Sequence, residues 1–481
     1  MTQTGREIAG REIAGRGNGK KIAIVGGGIA GVMAAIKIAQ EINTEIHLFE
    51  KNGKLLQGGP WCHLHAGGML YPMISKDDAL ELLYDSLSFA LFFQESIIHT
   101  PCIVAYRKES TYSSSKLLSR CMLMESKYSE WSKQHDHALP LGTIDSYFAM
   151  YTREDMEYFK NNGTFEKTIH PFHDSYVKTF CKLLKNIDDI KYPFVSVREP
   201  IIDMDMAKSK LKLLLSMYSN IHIHTNAFVE NISKEYTQAN YVLYNMTYNK
   251  NNKNYIITAD FLINAAGFES RHLLSHNRYF LNNVSYKNLS YMFHHIKSSS
   301  DEQIECKASF IINIESFPYK NYIPEMAIIG ERGTQNGMIQ ITPTKHKNHF
   351  QIHAMMENSS LIREISFDNQ SELYFRTHKA IEHVYNVFHG FYTAQPSHLE
   401  PLWGIQRTVG KDHTKRTSTL IFEKHASYAE IQLVKGISSV SLASLLAKQL
   451  QIQLGPINPE ELGTIDQKEF IDYFNNSIQL D

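Results

Sequence analysis

The sequence predicts an α/β chain: a mostly parallel sheet assembled from separated segments, joined to an α+β domain built on a mainly antiparallel sheet. Three observations carry that expectation. The stretch KKIAIVGGGIAGVMAAIKIAQEINTEIHLFEK from Lys20 runs apolar strand, glycine turn, apolar helix and strand. A second α/β block follows Pro200 and closes in DFLINAAGFESR. Between about His276 and Gln395 the strand-like runs SFIINI, MAIIGER, GMIQITP and HFQIHAM take over, with several helices among them.

In chain order, Lys21–Val25 is a buried parallel strand, Ile29–Gln40 an apolar helix and Glu45–Phe49 the next strand, a βαβ unit. The run GGPWCHLHAGGMLYP from Gly58 is too rich in glycine and aromatics for an ordinary linker, and Asp77–Phe93 is helical. Ser110–Lys116 reads as a surface excursion in a less regular region. After a helix ending near Ser219, strands are expected at Ile221–His224, Tyr241–Tyr248, Tyr255–Thr258 and Phe261–Ala265, with NKNNKN as turn material. The end of the chain supplies a turn at PLWGIQRTVGKD, a strand in AEIQLVKG and a helix in ISSVSLASLLAKQL. Residues 20–95, 200–275 and 396–465 are thus assigned to the parallel-sheet domain. Residues 96–199 and 276–395 form a substrate or cap domain between them, and 1–19 and 466–481 are tails.

Composition sets the bounds. A chain of 481 residues with 43% hydrophobic residues can bury more than one core. A formal net charge of −1 gives no global positive field, so nucleic acid is not an expected partner; peripheral membrane contact stays open. The five cysteines are scattered and odd in number, which fits a reducing compartment. With a polar start and no run of roughly 18 apolar residues, a cytoplasmic protein is expected.

Gly26, Gly28 and Gly31 form GxGxxG between the first strand and helix. The first glycine permits the tight turn, the second clears the approach of a pyrophosphate, and the third lets helix and strand pack closely. Ile29 and Ala30 open the helix, whose free N–H groups attract phosphate. Glu50, with Lys51 beside it, ends the second strand where an acid accepts from ribose hydroxyls and disfavours a 2′-phosphate. This Rossmann-like unit allows FAD and NAD alike.

The combination of GGGIAG and Glu50 with HAGG from His65, INAAG from Ile263 and VKG before the last helix resembles the D-amino-acid oxidase-like superfamily of FAD-dependent oxidoreductases. That superfamily includes glycine and sarcosine oxidases and L-2-hydroxyglutarate dehydrogenases. The resemblance covers most of Lys21–Leu450 and implies FAD rather than NAD. It implies flavin contacts from His65, Ala66 and Gly67, dinucleotide packing at Ala266 and Gly267, and a pyrimidine-end contact from Gly436, Ile437 and Ser438. A histidine in such a stretch is covalently attached to FAD in some relatives and not in others.

For a carboxylate-bearing substrate, Arg332 in GERG and Arg407 in WGIQRTVGKD are the candidate anchors, since a guanidinium makes paired bonds to a carboxylate. Arg407 departs from the GxRP pattern of the oxidases in spacing and in lacking the proline. Gln340 or Thr342 of NGMIQITP reaches the cavity if that face is not core. His65 is the candidate proton acceptor; Cys62 is read as a small buried packing residue and His63 as a strand or loop imidazole satisfied by a backbone carbonyl. The expected reaction moves the α-hydrogen of an amino acid or secondary amine to flavin N5 as hydride, with oxygen or a quinone as final acceptor. A 2-hydroxy-acid dehydrogenase, a noncatalytic flavin-binding protein and a nicotinamide reductase are the alternatives. HxH patterns occur at His63 and His65, His135 and His137, and His222 and His224, but no third ligand has persuasive spacing, so no metal site is expected.

Overall fold

The structure, a computed structural model, describes residues 20–57, 63–66, 74–161, 168–237, 242–267, 303–313, 317, 321–331, 334–346, 348–355, 370–391, 399–408 and 418–454. The chain opens with β1 (Lys21–Val25), α1 (Ile29–Glu41), β2 (Glu45–Phe49) and α2 (Lys76–Phe92). It continues through β3 (Ile97–Ile98), β4 (Cys102–Tyr106), α3 (Ser114–Gln134), β5 (Phe148–Tyr151), α4 (Arg153–Asn161), α5 (Asp174–Leu183), β6 (Phe194–Val197) and β7 (Ile201–Ile202). Next come α6 (Met204–Met217), β8 (Ile221–His224), β9 (Ala227–Tyr236), β10 (Val242–Lys250), β11 (Lys253–Ala259) and β12 (Phe261–Asn264). The later elements are β13 (Gln303–Asn313), β14 (Glu325–Ile329), β15 (Met338–Pro343), β16 (His349–Met355), α7 (Gln370–Val387), β17 (Leu399–Thr408), β18 (Thr419–Glu423), β19 (Tyr428–Gln432) and α8 (Ser439–Leu454).

One sheet has the order β18-β19-β12-β1-β2-β8, parallel except for β18. Both faces are covered, which is why its strands are continuous apolar runs. Ile22, Ile24, Ile46, Leu48 and Ile263 pack under α1 and α8, while Ala23, Val25, Phe49 and Leu262 meet Val229, Tyr244 and Met246 of the antiparallel sheet β11-β10-β9.

The second sheet has the order β17-β13-β16-β15-β14-β4-β6-β5 and is antiparallel except between β14 and β4. Its pleat sorts residues into two cores. Val104, Ala327 and Ile329 join the core under the helices of the parallel sheet; Ile103, Met326, Ile328, Ile339 and Ile341 join a separate core with Met156, Phe180 and Val384.

Two expectations need correction. The polar run after Ser110 leads into the 21-residue helix α3, whose Leu117, Cys121, Met124, Tyr128 and Trp131 are buried at helical spacing. PLWGIQRT is strand β17 rather than a turn, and it pairs along β13, so this piece of 396–465 belongs to the larger sheet. Among the described residues no helix is long and apolar enough to cross a membrane.

The two domains are also tied at α6. Asp203 caps it, its Oδ1 accepting from the N–H groups of Asp205 and Met206, while Lys345 Nζ stands 3.1 Å away. Asp203→Ala is expected to cost about 1 kcal/mol in denaturant unfolding; an unchanged midpoint would deny the cap any weight.

Candidate functional site

The glycine turn is built as its spacing predicts. Gly26 has φ +112°, and a Cβ there would lie 2.3 Å from the Ala265 carbonyl oxygen. A Cβ on Gly31 would come within 1.9 Å of the Gly26 carbonyl oxygen, so β1 and α1 close tightly only without it. Gly28 differs: a Cβ there meets nothing within 4 Å. It is the N-cap of α1 and offers no side-chain cap, so the first N–H groups of the helix face open space. Ala30 is buried and Ile29 half-buried behind this opening.

Glu50 is held at the end of β2. Its Oε2 accepts from Gly27 N–H at 2.8 Å, and its Oε1 accepts from Asn52 N–H at 2.8 Å and Asn52 Nδ2 at 2.7 Å. Each carboxylate oxygen has two acceptor sites, so Oε2 keeps one for a hydroxyl. Lys51 is exposed beside it. Across the turn, Ala265 N–H donates to the Val25 carbonyl at 2.8 Å, and Ala266 N–H donates to Asn264 Oδ1 at 3.2 Å. Gly267, at φ +62°, also borders open space.

The histidine segment crosses between the domains. Leu64 N–H donates to the Pro200 carbonyl at 3.0 Å, His65 N–H to Ser86 Oγ at 3.0 Å and Ala66 N–H to Glu199 Oε1 at 3.1 Å. Tyr147 OH donates to the Ala66 carbonyl. The His65 ring is buried, with Nδ1 3.9 Å from Glu199 Oε1 and its edge toward His63. Gly67, Cys62 and Arg332 lie outside the described residues.

His63, expected from sequence to be satisfied by a backbone carbonyl, reaches a buried cluster of polar side chains instead. Gln340 Nε2 lies 3.0 Å from His63 Nδ1 and donates to Glu325 Oε1 at 2.7 Å, where Thr342 Oγ1 also donates at 2.7 Å. A donor amide at His63 Nδ1 makes that nitrogen the acceptor and places the ring proton on Nε2. Glu325, Gln340 and Thr342 interrupt the apolar face of β14 and β15 that looks toward the nucleotide helices. Glu325 Oε2 is buried and has no hydrogen-bond partner among the described residues.

Burial raises the Glu325 carboxyl to about 7, against the hydrogen bonds from Thr342 and Gln340. Burial lowers His63 to about 3, helped by Lys435 and His353 nearby. Near neutrality His63 is therefore uncharged and Glu325 is poised between its two forms. The alternation of Gln340 and Thr342 with Ile339 and Ile341 was the legible signal for this face. Glu325, ahead of MAII, was missed and needed the pairing of β14 with β15 to become visible.

At the C-terminal segment, Gly436–Ser438 forms a short turn of helix before α8, with Ile437 and Ser438 buried. Asp85 of α2 stands beside the Ser438 and Ser441 hydroxyls; burial raises its carboxyl and those hydroxyls pull the other way. Arg407 pairs with Ile304, further along β17 than Leu402, which shares a row with Ser309, His353 and Gln340. That row does not bring Arg407 into register with the polar cluster.

No family model matches the chain, and no curated protein matches it by sequence. Solved structures do. The L-proline dehydrogenase from P. horikoshii is 13% identical, with TM-score 0.54 over 92% of this chain and 95% of that one. The L-amino acid deaminase from Proteus myxofaciens in complex with anthranilate is 12% identical, with TM-score 0.54 over 92% and 93%. The L-alpha-glycerophosphate oxidase from Mycoplasma pneumoniae with FAD bound is 13% identical, with TM-score 0.53 over 92% and 96%. The chain shares its fold with these three structures. A dinucleotide fits the residues present, because the Gly28 position is open before an uncapped helix and Glu50 keeps a free acceptor site.

Proposed function

We propose that the chain is an FAD-dependent oxidoreductase acting on a small carboxylate-bearing amino acid or secondary amine. Two observations carry this reading: an open glycine turn on the parallel sheet, and on the second sheet a buried carboxyl whose Oε2 has no hydrogen-bond partner among the described residues. When bound, FAD supplies a two-electron acceptor that takes the substrate hydrogen as hydride. The amino end of α1 holds the pyrophosphate, Glu50 the sugar, and Ala266, Gly267 and Gly436–Ser438 border the rest of the cofactor. His65, Ala66 and Gly67 of the histidine segment are proposed as further flavin contacts. Amine oxidation needs the unprotonated amine, and Glu325, poised near 7, takes the surplus proton at Oε2. Gln340 and Thr342 fix that carboxyl, and Gln340 fixes the His63 tautomer. Arg332 is proposed as the carboxylate anchor; Arg407, out of register with the polar cluster, is proposed only as a contact at the flavin site.

Glu325 also favours a second reading, a 2-hydroxy acid, because an alcohol must give up its hydroxyl proton. The deciding experiment is anaerobic bleaching of the bound flavin by panels of amino acids, secondary amines and 2-hydroxy acids. Bleaching by amines is the expected result, with reoxidation by oxygen or a quinone then measured. Flavin that stays oxidised through every panel would reject both readings in favour of a noncatalytic flavoprotein; rapid bleaching by NADH would make it a nicotinamide reductase.

A further inference from the structure

The outer edge of the nucleotide sheet carries a second polar cluster, separate from the glycine turn. His222 and His224 lie on one face of β8, and the parallel pairing with β2 sets His222 beside His47 and His224 beside Phe49. Strand alternation puts Glu45 on the same face as His47. We propose that Glu45, His47 and His222 form a site for a divalent transition cation of the zinc class, with His224 orienting His47.

The donor atoms are already gathered. Glu45 Oε1 is 2.8 Å from His47 Nε2 and 3.7 Å from His222 Nε2, and the three donors all lie within 4.8 Å of one another. Zinc bonds of about 2.0–2.1 Å in a tetrahedron need donor separations of about 3.3 Å, so small side-chain rotations complete the set. The His222 side chain is 45% exposed, and its ring, stacked on His47 with centroids 4.9 Å apart, turns off that stack to complete the set. Two imidazoles and one carboxylate with an open position are a donor set that borderline cations favour.

The surroundings orient these ligands. Lys21 Nζ lies 3.2 Å from Glu45 Oε2, which leaves Oε1 turned to the histidines, though its charge opposes a cation. His47 Nδ1 is 3.0 Å from His224 Nε2. With a cation on His47 Nε2, the His47 proton sits on Nδ1 and is donated to His224 Nε2, whose own proton sits on its Nδ1, so the shift balances. An occupied site would clamp β8 to β2 next to Glu50, whose N–H donates to the His224 carbonyl at 2.8 Å.

The test uses the untagged full-length protein, stripped with EDTA, dialysed and titrated with zinc chloride in a calorimeter. One zinc per chain is expected, with a rise in melting temperature and a cobalt-substituted form that absorbs in the visible. His222→Gln, at an exposed position, is expected to weaken binding by at least about 100-fold, and His224→Gln by about 10- to 100-fold. His425→Gln, on another surface, is the control expected to bind as wild type. Absence of stoichiometric zinc binding, or wild-type affinity in His222→Gln, would overturn the site.

Discussion

Gly28→Val is expected to give a folded, colourless protein that binds FAD at least about 100-fold more weakly, a loss of roughly 2.7 kcal/mol. Folding survives because Gly28 has φ −72° and ψ −176°, a conformation open to any L residue, and its Cβ direction meets nothing within 4 Å. What a valine fills is the space before the first N–H groups of α1, where a pyrophosphate must approach the backbone. Visible absorbance after purification and thermal melts with and without added FAD measure the two effects separately. A yellow Gly28→Val protein with wild-type affinity would place the dinucleotide elsewhere.

Replacing Glu325 with glutamine is expected to stabilise the protein at high pH while slowing flavin reduction by about 100-fold. Burial lifts the carboxyl from 4.5 to about 7, so the folded protein keeps this proton after the unfolded chain has released it. Its stabilising share is complete below about pH 4.5 and is lost as the pH rises to about 7, near 3 kcal/mol in all. His63 has the opposite sign: its pKa falls from 6.5 to about 3 in the fold, so its share is present above 6.5 and lost as the pH falls to 3.

Between about pH 4.5 and 6.5 the pair holds one proton in either state, on Glu325 when folded and on the histidine when unfolded. The wild type is therefore flat across that window, whereas Glu325→Gln loses stability steadily from about 6.5 downward. Urea midpoints at pH 4, 6 and 8 should show the variant level with wild type at pH 4 and well above it at pH 8. A difference that does not grow with pH would mean Glu325 ionises as an ordinary surface carboxyl.

How much of this was legible depends on the range of the interactions. The βαβ unit was readable to within a residue at both ends of α1, because apolar runs, the glycine turn and the acid after β2 are local signals. The helix α3 was readable and was missed: the spacing of Leu117, Cys121, Met124, Tyr128 and Trp131 is that of one helical face, hidden under polar residues. The strand β17 was not readable in the same way. Glycine and proline in PLWGIQRT mark a turn, and only the long pairing with β13 holds the segment extended.

Histidine roles divide along the same line. Sequence ranked His65 above His63 because of its glycine neighbours, yet His63 is the ring that meets Gln340 and Glu325. Likewise His222 and His224 lacked a third ligand until β8 was laid beside β2.

By itself, then, the sequence determined the glycine turn and the βαβ unit that carries it, since there each residue acts on neighbours a few positions away. Tertiary structure alone decided which buried groups share protons, because His63 and Glu325 come from segments far apart in the chain that meet where one sheet faces the other domain. Burial at that meeting exchanges their charges for a neutral pair, which neither residue's identity specifies.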